Sequence, residues 1–199
     1  ELVPWKDATV HVLTHAMHYA SCVFEGERAY NGRIFKLSEH TGRLLTGADT
    51  MGMEVPYTLA EIDAACNKLV EAQGITDGYI RPVVWRGSEM MGVSAQTARI
   101  NVAIAAWEWP EYFADRMAGI RMQWAKWRRP DPATIPCKTK AAGLYMICTL
   151  SKHEAEANGY DDALMLDYRG YIAEATGANL FMVMPDGKIH SPEPDCFLD

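Results

Sequence analysis

TIPCKTKAAGLY, residues 134–145, decides how this chain is read. Lys138 and Lys140 stand one residue apart, followed at once by Ala141, Ala142 and Gly143. A solvated lysine tolerates any neighbour, so a run of nearly side-chain-free residues implies that something large lies against the backbone here. A lysine amine is nucleophilic only when neutral, which requires burial or nearby cations. The small residues, the second lysine and the basic pair Arg128 and Arg129 could supply both. A solvated loop is the plain alternative. In an extended segment the two lysines share a face, so spacing alone does not choose between them.

The bulk composition narrows the classes. The chain has 199 residues, 49% of them hydrophobic and 23% charged, enough to bury a core and too apolar for extended disorder. A net charge of −7 argues against a non-specific nucleic-acid surface, which needs a positive field. The five cysteines form no CxxC pair and no regular framework, so reduced thiols in a cytoplasmic compartment are expected. No apolar run is long enough to span a bilayer, and no signal-peptide pattern is present. The chain starts on ELVPW and stops at PDCFLD, which is expected of part of a longer protein.

Strand-like and helix-like stretches are interspersed, predicting a mixed α/β (α+β) chain with a boundary near residue 115. VHVLTH alternates like a half-buried strand. RIFKLSEH passes from strand to helix with Ser38 as N-cap. Thr58 and Glu61 form a capping box for a helix whose apolar face is Ile62, Cys66, Leu69 and Val70, stopped by Gly74. YIRPVVWRG and RINVAIAAW read as strands, and EWPEYFADRMA as a connection. Then come a strand in IRMQWAKW, a proline-rich loop, and a helix over 140–158 ended by Gly159. ALMLD, YIAEA and NLFMVM read as strands.

Other chemistry-bearing patterns are sparse. His11, His15 and His18 have helical ligand spacing, but no HExxH or CxxC accompanies them, so packed or hydrogen-bonding roles are expected and no metal. Phosphate loops of the GxGxxG and GxxxxGK[ST] kinds and the GxSxG elbow are absent. Glu174 in GYIAEATGANLF interrupts a run that otherwise looks buried. It is either an edge residue facing water or a buried carboxylate that needs a cationic partner.

Five segments stand in order: HVLTHAMHYASCVFEGERAY, EHTGRLL, GYIRP, TIPCKTKAAGLY and GYIAEATGANLF. Together they resemble the branched-chain-amino-acid aminotransferases, pyridoxal-phosphate enzymes of class IV and fold-type IV, from Val10 to about Leu198. The resemblance implies a small N-terminal α/β domain over 1–115. It implies that 116–199 begin a larger, barrel-like cofactor domain, C-terminally incomplete here. Lys140 matches the lysine that attaches to pyridoxal 5'-phosphate, leaving Lys138 a bystander and giving the small residues a purpose as room for the cofactor. Tyr145 matches the tyrosine on the cofactor's phenolic oxygen, Glu174 the carboxylate on its pyridine nitrogen, and Arg43 the phosphate arginine. Phe24, Tyr79, Trp109 and Tyr112 match an aromatic substrate pocket. Tyr19 matches a further pocket tyrosine near a dimer interface. Arg81 matches the residue that receives the side-chain carboxylate of glutamate.

The implied activity is ping-pong transfer of an amino group between a branched-chain L-amino acid and 2-oxoglutarate, in a cytoplasmic homodimer without nucleic-acid or membrane partners. D-amino-acid or (R)-amine transamination, or an aminodeoxychorismate lyase, are the alternatives on the same scaffold. A non-enzyme reading, a chain that only folds or dimerises, also stays open. Three positions depart from the family pattern. Glu27 replaces an apolar residue in FEGIR, close to the expected pocket wall. CKT replaces small residues before the lysine, and GAN stands for GEN. The family's Gly-Ile-Thr turn and later threonine, which cradle the phosphate, lie beyond this sequence.

Overall fold

The computed structural model describes residues 1–109 and 117–198. It forms two compact units: Glu1–Tyr112 together with Lys140–Gly143, and Phe113–Thr139 together with Leu144–Asp199. The expectation of a single crossing did not anticipate the four-residue return at Lys140–Gly143. Most of the connection read in EWPEYFADRMA, with Tyr112, lies outside the described residues.

In the first unit the chain runs through α1 (His15–Tyr19), β1 (Cys22–Phe24), β2 (Glu27–Tyr30), β3 (Arg33–Ile34), α2 (Leu37–Thr50), α3 (Leu59–Gln73), β4 (Gly78–Arg86) and β5 (Ile100–Glu108). The sheet is antiparallel and organised on β4, which pairs β5 along its full length on one edge. Its other edge takes β1 at one end and β2 at the other, with β3 on β2. Burial along β4 alternates, with Gly78, Ile80, Pro82 and Val84 on the covered face. That face packs Ala29 and Ile80 against Ile62, Cys66 and Val70 of α3. Tyr79 and Arg81 point to the opposite face, as a period of two requires.

Local signals explain much of this. The capping box at Thr58 is present in both directions, and Gly74 ends α3 in the left-handed region at φ 65°. Residues 10–15, expected to be a strand, are instead coil and turn, exposed over 10–13, leading into α1 at His15. Helix α2 begins after Lys36 rather than at a Ser38 cap. Ser38 lies inside the helix, and its hydroxyl donates to Asp63 Oδ2 at 2.6 Å.

The three histidines serve as local fasteners. His15 is buried with Nε2 2.9 Å from the Gly92 carbonyl, so that nitrogen donates. In the neutral ring its Nδ1 therefore accepts from the Ser21 hydroxyl at 2.8 Å. His18 Nε2 donates to the Val12 carbonyl and His11 Nδ1 accepts from the Leu13 amide.

The second unit holds β6 (Met122–Trp124), α4 (Met146–Ala157), β7 (Asp162–Leu166), β8 (Ile172–Ala175), β9 (Met182–Val183) and β10 (Ile189–His190). β7 is central, parallel to β6 and antiparallel to β8, with a bulge at Met165/Leu166. α4 starts at Met146, later than expected, because Ala142–Tyr145 form a 3-10 turn first. NLFMVM contributes only the two-residue β9, which is largely exposed. Among the described residues no helix is long and apolar enough to cross a membrane.

One core residue contradicts its surroundings. Glu27 pairs with Ile80 on the covered face, is 1% exposed, and neither carboxylate oxygen has a hydrogen-bond partner. It therefore does not face the aromatic side of β4, which corrects the expectation that it stands at the pocket wall. Burial, reinforced by the charges of Glu25 and Asp63, pushes its pKa from 4.5 up to about 8. Between those pH values the unfolded chain releases a proton that the folded chain keeps, so stability falls as pH rises through that window. We expect Glu27→Leu to remove this slope and raise stability at pH 8 by on the order of 2–4 kcal/mol. Denaturant unfolding at pH 5 and pH 8 checks it. An equal effect of the substitution at both pH values would show that Glu27 is ionised in the native core.

Candidate active site

In the first unit the approach of Lys140–Ala141 to β1 organises the site. The Phe24 amide donates to the Lys140 carbonyl at 3.1 Å, and Val23 and Ala141 form an isolated antiparallel bridge. Ala141 is buried, and a Cβ on Gly143 would come within 3.3 Å of the Ala20 methyl. The small residues after the lysine therefore admit a strand edge. Lys140 Nζ lies 5.7 Å from the centroid of the Phe24 ring.

The segment joining β1 to β2 carries the charge partner. The Glu25 side chain is fully buried, with Oε1 2.6 Å from Arg43 Nε and Oε2 2.9 Å from Arg43 Nη2. His40 Nδ1 lies 2.9 Å from the same Oε2. His40 and Arg43 are three residues apart on α2, hence on one face. Burial pushes the Glu25 pKa up, but the His40 and Arg43 hydrogen bonds and the charges of Arg43 and Lys140 outweigh it and bring it down to about 2.

On the open face of β4, Arg81 sits 4.5 Å from the Phe24 ring centroid and 5.1 Å from that of Tyr79, a cation–π arrangement on both. Its Nη2 donates to Tyr79 Oη at 2.8 Å, while Nε is buried without a hydrogen-bond partner among the described residues. Tyr79 packs against Trp107 and Trp109 at ring separations of 5.1 and 5.2 Å. A Cβ on Gly26 would fall 2.0 Å from Tyr79 Oη, so only glycine leaves room for this arrangement. Tyr19 stands apart from this group. Its ring stacks on His15 at 4.6 Å and its hydroxyl donates to the Met91 carbonyl.

The second unit holds Glu174 and Tyr145. Glu174 lies on β8 opposite Met165, and its Oε1 is 3.1 Å from Arg129 Nε, with the two side chains 14% and 5% exposed. The N–H at Nε is not aligned for a hydrogen bond, so this contact is an ion pair. The partner that a buried carboxylate demanded is therefore Arg129, a role the sequence reading did not assign. Arg129 Nη1 also donates to the Leu144 carbonyl and to Cys148 Sγ. It thereby ties β8 to the turn in which Tyr145 leads into α4. Lys138 is exposed and donates to the Pro194 carbonyl. A turn closed by the Thr139 amide on the Pro136 carbonyl separates it from Lys140, so the shared-face argument does not apply. Among the described residues, one acid-and-thiol group, Asp167, Asp195 and Cys196, is close enough to hold a metal. Arg169 Nη2 already lies 2.7 Å from both aspartates.

The residue chemistry fits a phosphorylated aldehyde cofactor: an amine beside an aromatic ring, an arginine held by a carboxylate, and a second carboxylate backed by a buried arginine. Comparison with known proteins agrees. The class IV amino-transferase family model matches residues 22–199. A probable branched-chain-amino-acid aminotransferase of Rickettsia bellii is 48% identical over 200 residues, covering all of this chain and 68% of the relative. The branched-chain-amino-acid aminotransferase of Pseudomonas aeruginosa is 41% identical over 97% of this chain and 64% of its own. The solved branched-chain amino acid aminotransferase of Escherichia coli superposes with a TM-score of 0.93 at 37% identity, over 100% of this chain and 67% of its own. The chain thus belongs to the class IV aminotransferases, which are pyridoxal-phosphate-dependent and of fold-type IV. Within that family the relatives just named are branched-chain enzymes, and the chain spans about two thirds of their length.

Because Arg129 and Glu174 are both largely buried, removing one leaves the charge of the other less well compensated. Arg129→Met should destabilise the protein by about 3 kcal/mol or more, whereas Arg129→Met with Glu174→Gln should recover much of that loss. Thermal or denaturant unfolding of the three proteins measures the coupling. Additive effects would mean that the two charges are independently solvated.

Proposed function

We propose that the whole protein transfers the amino group of a branched-chain L-amino acid to 2-oxoglutarate in a ping-pong cycle, as a cytoplasmic homodimer. The observation that carries this reading is Arg81 lying against Phe24 and Tyr79. Aromatic rings reward burial of an aliphatic side chain, while the one guanidinium can accept the second carboxylate of glutamate. Solved branched-chain amino acid aminotransferases that resemble this chain hold N-(5'-phosphopyridoxyl)-L-glutamate in one complex and 4-methylvaleric acid in another. Both are ligand types that such a mixed pocket would take.

In this reading the first unit is the small domain and the second the beginning of the larger one. Lys140 holds the cofactor, Arg43 its phosphate, Glu174 its ring nitrogen and Tyr145 its phenolic oxygen. Pyridoxal phosphate supplies an electron sink for the substrate's α-carbon. The chain's own residues govern protons and orientation. Lys140 Nζ would move a proton between the substrate α-carbon and the cofactor's C4′, and is suited to this when neutral. Glu174 would keep a proton on the ring nitrogen, and its ion pair with Arg129 fixes where that carboxylate lies. Phe24, Tyr79, Trp109 and Tyr112 exclude water around the substrate side chain. Tyr19, 43% exposed, serves at the dimer interface.

Lys140→Ala should lower L-leucine:2-oxoglutarate turnover by at least roughly a thousandfold and remove the visible absorbance of bound cofactor. Stopped-assay turnover and the absorption spectrum are the measurements. Full activity in this variant would sink the assignment. Turnover of D-alanine but not L-leucine by the unaltered protein would move the substrate class instead.

A further inference from the structure

We propose that Glu25 is a positioning residue for the cofactor phosphate, acting through Arg43. This rests on the reading of Arg43 as the phosphate arginine and adds the residue that aims it.

The geometry carries the argument. Glu25 is fully buried, and it gathers four donors: Arg43 Nε at 2.6 Å on Oε1, then Arg43 Nη2 at 2.9 Å, His40 Nδ1 at 2.9 Å and the Gly26 amide at 3.3 Å on Oε2. A carboxylate held this way has little freedom of its own, because both its oxygens are pinned from α2 and from the backbone. The two-point pair with Arg43 then fixes the plane of the guanidinium, which a single hydrogen bond or a diffuse charge cannot do. An arginine carries five N–H donors in a rigid fork, so one guanidinium can hold a carboxylate and a phosphate together. The Arg43 side chain is 33% exposed, and the pair with Glu25 removes rotamer freedom that binding a phosphate would otherwise have to order.

Glu25 has a second neighbour that a purely structural ion pair would not need. The charge of Lys140 acts on it and helps to hold it ionised. One carboxylate thus lies in the field of both cations assigned to the cofactor, the amine and the phosphate arginine. A fixed negative charge there moderates their mutual repulsion before the phosphate arrives. Its neighbour two residues on, Glu27, is pushed toward the neutral form and adds little competing charge.

The test separates orientation from mere support of the fold. Affinities of the whole protein for pyridoxal phosphate and for pyridoxal, which lacks the phosphate, are measured by absorbance titration. Glu25→Gln preserves shape but not charge, and we expect it to weaken pyridoxal phosphate by about tenfold while leaving pyridoxal within about twofold. Arg43→Lys keeps the cation but not the fork, and should show the same selective loss. Adding Glu25→Gln to Arg43→Ala should cost nothing further, since the arginine it aims is gone.

Equal weakening of both ligands by Glu25→Gln would reduce Glu25 to a structural role and overturn the proposal. So would unchanged or tighter pyridoxal phosphate binding, while a selective loss in Arg43→Ala would leave the function stated above standing. No selectivity in Arg43→Ala would remove the arginine assignment itself, and this proposal with it. If Glu25→Gln fails to fold, Arg43→Lys decides: undiminished phosphate selectivity there shows that the fork with Glu25 orients nothing.

Discussion

The pairing of Lys140 and Ala141 with the edge of β1 is the constraint on which the first unit's chemistry depends. Two contacts define it, the Phe24 amide on the Lys140 carbonyl and the Val23–Ala141 bridge. They are backbone contacts, so they fix where the lysine's Cα lies without fixing its side chain. They also require the residues that follow to be small, because any bulk at 141 or 143 would hold the chain off β1 or press on Ala20. Lys140 therefore belongs with a strand more than a hundred residues earlier in the chain, although Thr139 and Leu144 both belong to the second unit. A nucleophile carried on such a pairing is better fixed than one on an open loop.

Glu25 and Glu27 show how environment, not residue type, assigns charge. They are two residues apart and both buried, yet one is driven down to about 2 and the other up to about 8. Burial acts upward on both. What separates them is hydrogen bonding, since Glu25 accepts from His40 and Arg43 whereas Glu27 has no donor within reach. The two effects are linked, because the ionised Glu25 is itself one reason that Glu27 resists ionisation. A neutral carboxyl is far less costly to bury than a carboxylate, so the core tolerates Glu27 at a position where an apolar residue would cost less still.

The elements that were legible are those whose signals are local. α3 could be read because its capping box, apolar spacing and terminal glycine agree, and β4 and β5 because their β-branched runs are long. VHVLTH misled because alternation is evidence for a strand only when a partner edge exists, and this segment has none. Ser38 misled because a cap needs the preceding residue outside the helix, whereas its hydroxyl was needed on Asp63. In the site, the five ordered motifs pointed to Lys140, Glu174 and Arg43, but not to their partners. Arg129 was visible only as a basic residue near the lysines, and its ion pair joins positions 45 residues apart in sequence. Glu27 was legible as a departure, and its face follows from an alternation that runs unbroken from Val23 through Glu25 and Glu27 to Ala29.

That continuous register also shapes the open face of β4. Glu25 and Gly26 keep it between β1 and β2, with the Glu25 amide donating to the Pro82 carbonyl. Proline at 82 has no amide to return the bond, so the ladder is interrupted there without stranding a donor. The register sets Gly26 beside Tyr79, and the absence of a side chain lets Tyr79 Oη settle close to its backbone. From there the hydroxyl accepts from Arg81, whose guanidinium is held between two aromatic faces rather than in an ion pair. Cation–π contacts and one neutral hydrogen bond stabilise the charge less than a carboxylate would. The buried Nε has no hydrogen-bond partner among the described residues, and in the proposed reading a carboxylate-bearing ligand would supply one. An aliphatic ligand would instead leave the guanidinium on its rings and use only their apolar faces. On that reading one surface would accept either partner of a transamination without rebuilding itself.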